Sequence, residues 1–182
     1  MTRLTLKELP RYECLLEMSR RFPQLNPTAC ATFLSLLRTG DELMRVGNVF
    51  FGKHNLSQGR FLVLVMLIDR GDAECAPRTP ADLAEQACCT RATMTGLIDT
   101  LVRDGLVHRE PSPDDRRVMK LSLTNAGMEF LNSILPEHFE RITDLMSALS
   151  EEECRTLLAL LTKVSERSAR LEPLAKPTSS ED

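Results

Sequence analysis

Apolar positions along the chain recur at the period of a helix, switch to the period of a strand for one short stretch, and then return to the helical period. In "NPTACATFLSLLRTGDELMRVGNVFF", Phe33, Leu36, Leu37, Leu43, Met44, Val46 and Phe50 fall on one helical stripe, with Asn26 placed to cap and Pro27 at the first helical position. Upstream, "LKELPRYECLLEMSRRF" predicts a short helix broken by Pro10. "HNLSQGRFLVLVMLIDRG" is apolar on every side, which predicts a central helix capped by Ser57 and ended by Gly71. "RTPADLAEQACC" is a short helix with Thr79 as cap, Pro80 first and Asp82 in the first turn. After a break, "TRATMTGLIDTLVRDGL" predicts another, capped by Thr90, stopped by Gly105, with Leu97, Ile98, Leu101 and Val102 as its inner face.

The period then drops to two. "LVHRE" and "RVMKLSL" read as strands, and Met119, Leu121 and Leu123 alternate with Val118, Lys120 and Ser122 as in a half-buried strand. "PSPDD" is the turn between them. "TNAGMEFLNSILPEHFERITDLMSALS" is a long helix with a kink expected at Pro136, and "SEEECRTLLALLTKVSERSARL" is the last, opening on a Ser150–Glu153 capping box. The outer helices are amphipathic, and nothing within one chain covers all their apolar faces, a pattern that points to a dimer. The expected fold class is mainly α with a small β-hairpin wing: a winged helix-turn-helix core plus N- and C-terminal dimerisation helices. The expected division is 1–56 and 125–172 as the helical dimerisation region, 57–124 as the winged helix-turn-helix, and 173–182 as a flexible tail.

Composition narrows the class. A chain of 182 residues can bury one good core or two small ones, and 42% hydrophobic with 27% charged residues is ordinary for a soluble globular protein. Aromatics make up only 4%, with no Trp and one Tyr, which favours helices packed by aliphatic side chains over a β-sandwich. The start lacks the apolar run of a signal peptide, and "FLVLVMLI" is too short to span a bilayer. A cytoplasmic protein without a membrane partner is therefore expected, and its cysteines, at 14, 30, 75, 88, 89 and 154, are expected as reduced thiols. They form no CxxC pair, and histidine occurs only at 54, 108 and 138, so neither a metal nor a cofactor is expected. The chain has no glycine-rich phosphate loop, nucleophile elbow or paired His/carboxylate spacing, so it is not expected to be an enzyme.

Two short helices joined by a tight turn and followed by a hairpin make a winged helix-turn-helix, whose second helix fits the major groove of B-DNA. Its N-terminal turn supplies the candidate DNA-binding residues Thr90, Arg91, Thr93, Met94 and Thr95, with Ala92 among them. Hydroxyls and an arginine can contact phosphates and bases, and methyl groups can meet thymine methyls. The plainer alternative makes Thr90 only a cap and leaves Thr93 and Thr95 facing solvent; the hairpin following at the right distance favours DNA. The net charge of −3 argues weakly against nucleic acid, but the position of the positive charge matters more than its sum. Between Thr79 and Asn125 there are six Lys/Arg (91, 103, 109, 116, 117, 120) and seven acids (82, 85, 99, 104, 110, 114, 115), so the basic residues must be sorted onto one face.

"TPADLAEQACCTRATMTGLIDTLVRDGLVHREPSPDDRRVMKLSLTNAG" resembles the core of the MarR family of transcriptional regulators. The matching features are the Leu83–Ala84 pair, the aliphatic ending of the second helix from Leu97 through Leu106, Asp115 with Arg117 in a D-x-R wing, and Leu121, Leu123 and Thr124 followed by Gly127. "HNLSQGRFLVLVML" also resembles the family's second helix, and the likeness covers roughly residues 27 to 170. The resemblance implies a homodimer joined through N- and C-terminal helices. It also implies binding to a pseudo-palindromic double-stranded DNA operator, recognition helices in successive major grooves, and usually repression. By matching position it implies Arg117 in or near the minor groove, Asp115 orienting it, and Arg116 as a second contact. Many relatives carry an arginine where this chain has Gly96, so Arg91 and the threonines must carry more of the base readout.

The resemblance also implies release by a small aromatic effector or by cysteine oxidation. Candidate ligand-binding residues are Phe50, Phe51, His54, Phe61 and Met66, each of which could equally be core, and His54 beside Asn55 could simply close a helix. Cys88 and Cys89, in the turn between the motif's helices, are the candidate redox pair; the alternative is a small core residue and an incidental neighbour. Cys14 and Cys30, near Tyr12, are a weaker match to a reactive N-terminal cysteine. Alternatives to an aromatic-responsive repressor are a thiol-oxidation-responsive regulator of the same fold, and a winged-helix protein-interaction module with weak DNA binding.

Overall fold

The computed structural model describes residues 8–68, 78–112 and 118–171. The candidate wing residues Asp115, Arg116 and Arg117, the expected helix stop Gly71 and the tail 173–182 lie outside them. The chain divides into two units, Met1–Gln58 and Gly59–Asp182.

The first unit holds α1 (Tyr12–Arg21) and α2 (Pro27–Lys53). Asn26 caps α2 by accepting from the amide of Ala29 at 3.0 Å, and Pro27 follows at the first position, as the sequence predicts. The Tyr12 and Thr28 hydroxyls, 2.9 Å apart, tie the two helices. α2 ends with Asn55 in the left-handed region (φ 53°). The amides of Asn55 and Leu56 then donate back to the carbonyls of Gly52 and Phe51, at 3.2 and 3.0 Å. His54 and Asn55 do close a helix. Leu15, Phe50, Phe51 and Leu56 are buried, but of the predicted stripe of α2 Phe50 alone is among them: Phe33, Leu36, Leu37, Leu43, Met44 and Val46 are exposed.

The second unit is built on α3 (Gln58–Met66), whose first residue closes the first unit. Val63, Leu64 and Leu67 are buried and Leu62 is exposed, so α3 is central on one side only. The helix ends at Met66, short of Gly71: the Leu67 amide is shared between the carbonyls of Val63 and Leu64, a tightening typical of a last turn. α4 (Pro80–Gln86) and α5 (Arg91–Arg103) form the helix-turn-helix. β1 (Val107–Pro111) and β2 (Met119–Leu123) pair antiparallel, with Val107 opposite Leu123, Arg109 opposite Leu121 and Pro111 opposite Met119. Pro111, read from sequence as turn, is the last rung, and the Ser112 amide donates to the Val118 carbonyl at 2.7 Å just beyond it. Arg78 adds a one-residue third strand, its carbonyl accepting from the Leu121 amide at 3.0 Å.

α6 (Asn125–Met146) and α7 (Glu151–Leu171) complete the unit. Pro136 lies inside α6, within one helical span. The Ser150–Glu153 capping box is present, with Ser150 N to Glu153 Oε2 at 2.8 Å and Glu153 N to Ser150 Oγ at 3.3 Å. The Ser150 amide, and secondarily the Ser150 hydroxyl at 2.9 Å, donate to the Glu153 carboxylate and hold its pKa below the ordinary value. Nothing on α7 is buried. The junction between β2 and α6 is tight. Thr124 caps α6 through the Gly127 amide (2.9 Å), donates its hydroxyl to the Gly105 carbonyl (2.7 Å) and its amide to the Leu106 carbonyl (3.1 Å). A Cβ on Gly127 would stand 2.1 Å from that same Leu106 oxygen. This is the physical content of the L-x-L-T and glycine pattern.

Candidate nucleic-acid interface

The site is assembled by local chemistry. Thr79 and Asp82 form a reciprocal capping box that starts α4, with Thr79 N to Asp82 Oδ2 at 2.9 Å and Asp82 N to Thr79 Oγ1 at 3.2 Å. α4 ends as α2 does: the amides of Cys88 and Cys89 donate to Glu85 and Ala84 carbonyls at 3.1 and 3.0 Å, with Cys88 at φ 49°. Thr90 then caps α5, its Oγ1 accepting from the Thr93 amide at 3.1 Å and lying 2.8 Å from the Thr93 hydroxyl. α5 ends the same way once more, Gly105 taking the left-handed position at φ 72°.

Met94, Ile98 and Leu101, at steps of four and three, are the buried stripe of α5, each no more than 1% exposed. Met94 is thus a core residue and not a DNA contact: it faces the same side as Ile98, and reaching a base would strip the core. Val102, expected inside, is exposed, lying at the edge of the stripe that Met94, Ile98 and Leu101 form. Thr90, Arg91, Ala92, Thr93, Thr95 and Gly96 are exposed together at the first two turns. A Cβ on Gly96 would meet nothing within 4 Å, so the fold does not require glycine there.

The acids of the motif are largely tied. Asp82 serves the α4 cap. Asp99 accepts from Arg109 of β1 at 3.2 Å, and Asp104, the C-cap of α5, is paired with Arg60 of α3. Glu110 stands 3.7 Å from His108. Arg91, by contrast, forms no ion pair among the described residues, and it projects from the end of α5 where the helix dipole favours anions. An exposed cation thus opens α5, while Asp82, Asp99 and Asp104 each have a protein partner. The sequence signals for the Arg60–Asp104 pair are a lone arginine ahead of an apolar run in α3 and an acid at the C-terminus of α5, where the helix dipole opposes it; Asp99 and Arg109 carry no such signal.

The effector candidates fall in both units. Phe50 and Phe51 are 1% and 2% exposed, their rings 5.2 Å apart, and His54 stands edge-on to Phe50 at 5.0 Å. Phe61 and Met66 are half-buried, Phe61 meeting the ring of His138 at 4.9 Å. Burial, and secondarily Arg141, push the His138 pKa below its ordinary value. Cys88 is exposed and Cys89 half-buried, and the five cysteines among the described residues are free thiols. Among those residues no group of three His, Cys, Asp or Glu could hold a metal, and no helix is long and apolar enough to cross a membrane.

Residues 56–119 match the model of the MarR family. The HTH-type transcriptional repressor YetL of Bacillus subtilis (strain 168) is 33% identical over 164 residues, which is 90% of this chain and 96% of that protein. The HTH-type transcriptional regulator PecS of Dickeya dadantii (strain 3937) is 30% identical over 142 residues, 78% of this chain and 84% of its own. Among solved structures, the transcriptional regulator BldR from Sulfolobus solfataricus is similar with a TM-score of 0.60 at 26% identity, covering 75% of this chain and 96% of that one. MepR of Staphylococcus aureus in its DNA complex gives a TM-score of 0.64 at 22% identity, covering 74% and 94%, and shares the fold.

Proposed function

The chain belongs to the MarR family of transcriptional regulators, and from that premise we propose that it represses transcription as a homodimer on a pseudo-palindromic operator. Each α5 enters a major groove by its N-terminal turn, and each wing, carrying Asp115, Arg116 and Arg117, lies along the flanking minor groove. The observation that supports this reading is the sorting of charge on the helix-turn-helix: Arg91 is exposed at the start of α5 without an ion pair among the described residues, while Asp82, Asp99 and Asp104 are held by protein partners. Residues 57–124 act as the DNA-binding domain, and 1–56 with 125–172 as the dimerisation region. Exposed apolar side chains on α1 (Leu16, Met18), α2 (Phe33, Leu37), the end of α6 (Phe139, Ile142, Leu145) and α7 (Leu158, Leu160, Val164) support that assignment.

Release by a small aromatic ligand is proposed, with the candidates taken unit by unit: in the first, His54 keeps some exposure and Phe50 and Phe51 are core; in the second, Phe61 and Met66 keep some exposure. A thiol-responsive version is favoured by one observation, the exposure of Cys88 in the turn that precedes α5.

Gel shift on a duplex from the DNA upstream of its own gene tests the central reading. Affinity should fall steeply with salt, and Arg91→Ala should weaken binding and lower the slope of log K against log salt by about 0.9, one phosphate contact. No binding of any duplex at low salt would instead support the protein-interaction module.

A further inference from the structure

Arg60 is the one charged side chain in α3, where it stands third from the start, ahead of an unbroken apolar run from Phe61 to Met66. Its side chain is 17% exposed, folded onto the protein, and it donates to the carboxylate of Asp104, the C-cap of α5. Next to it, Gly59 lets α3 come close to α5: a Cβ there would lie 3.3 Å from both methyl carbons of Leu97. The start of α3 thus backs α5 twice, by an apolar contact at Leu97 and by an ion pair at the C-terminal end.

The helices themselves oppose this placement of charge. The first turn of a helix is the positive end of its dipole and the C-cap the negative end, so a cation opening α3 and an anion closing α5 are each disfavoured locally. Exchanging the two would suit both helices. What the observed arrangement supplies is direction: a guanidinium offers a rigid fork to a carboxylate. A partly buried pair of this kind adds little net stability over an apolar substitute, but it does fix geometry.

We infer that Arg60 is a positioning residue for operator binding, which through Asp104 fixes the C-terminal end of α5 on the core and so the angle at which α5 enters the groove. Asp104 is about 20 Å along the helix from Arg91, so the pair acts on the DNA-facing turn only through the helix. The inference rests on the reading of α5 as the recognition helix.

The test uses the full chain and a duplex bound by the wild type, with affinity measured across a salt series by fluorescence anisotropy and a thermal melt on every variant. Arg60→Gln and Asp104→Asn should each weaken binding about tenfold, equivalent to about 1.4 kcal/mol, at an unchanged salt slope. The exchanged pair, Arg60→Asp with Asp104→Arg, should recover most of the lost affinity. Unchanged affinity in both single variants overturns the inference, and so does a failure of the folded exchanged pair to recover. A slope lowered by about one in Arg60→Gln overturns it as well, since Arg60 would then be touching phosphate itself. Should Arg60→Gln not fold, Arg60→Lys carries the test, because it keeps a cation and loses the fork: weaker binding at an unchanged slope supports the inference, and wild-type affinity overturns it. A wild type that binds no duplex at low salt fails the recognition-helix reading and takes the inference with it, whereas wild-type binding with unaffected variants sinks the inference alone.

Discussion

At Gly127 the chain has room for hydrogen and nothing larger. The Leu106 carbonyl that takes the Thr124 amide also occupies the space a side chain would need. In a helix, alanine in place of glycine normally stabilises by about 1 kcal/mol. Here the sign should reverse: Gly127→Ala is expected to cost about 2–3 kcal/mol, read as a lower urea midpoint, since backbone must move to admit the methyl. A midpoint at or above wild type would show that the junction yields. Cys88 is the contrasting case, a residue with a side chain at a left-handed position where Asn55 and Gly105 show the usual occupants.

At the scale of elements, the local signals were legible and the crossing contacts were not. Asn26, Thr79, Thr90 and Ser150 cap as their spacing implies, because a cap is settled within four residues. The alternation through Leu121 gave the half-buried strand. The inner face of α5 holds at Ile98 and Leu101, and the same period leads back to Met94; Val102, at the edge of that face, is the residue the structure leaves exposed. The ion pairs Arg60–Asp104 and Arg109–Asp99 join residues 44 and 10 apart, beyond the reach of any spacing rule. Contact between α3 and α6 likewise appears only in three dimensions, where Phe61 meets His138. Because the folded His138 pKa lies below 6.5, the unfolded chain takes up the proton first. The stability of the neutral packed ring is therefore complete above 6.5 and is lost as pH falls through the lowered value. His138→Gln should flatten the slope of stability against pH in that window, as followed by urea unfolding at stepped pH; an unchanged slope assigns the dependence to other groups. Glu153 acts in the same direction but lower, in the carboxylate range, so the two are separable.

For the whole molecule the question is what covers the apolar helices. A single chain leaves Leu157, Leu158, Leu160, Leu161 and Val164 of α7 exposed, together with similar faces on α1 and α2. Surfaces of that kind are stable in water when a second copy buries them, and obligate homodimers bury them as a core is buried. Leu158, 67% exposed, is the sharpest place to probe. Leu158→Glu should shift the chain toward monomer in sedimentation and reduce operator affinity, since two half-sites no longer share one binder. A variant that stays dimeric with wild-type affinity would remove α7 from the interface. The amphipathic pattern of the outer helices already points to these faces as ones a single chain does not cover.

The packing at Gly127 has a consequence for descent. A position that admits one letter cannot be reached or left by single substitutions without passing through an impaired protein, unless the Leu106 carbonyl moves first. The glycine three residues past the threonine is therefore a fixed point around which the wing and α6 can diverge. It marks the register of this junction in any sequence that builds it the same way.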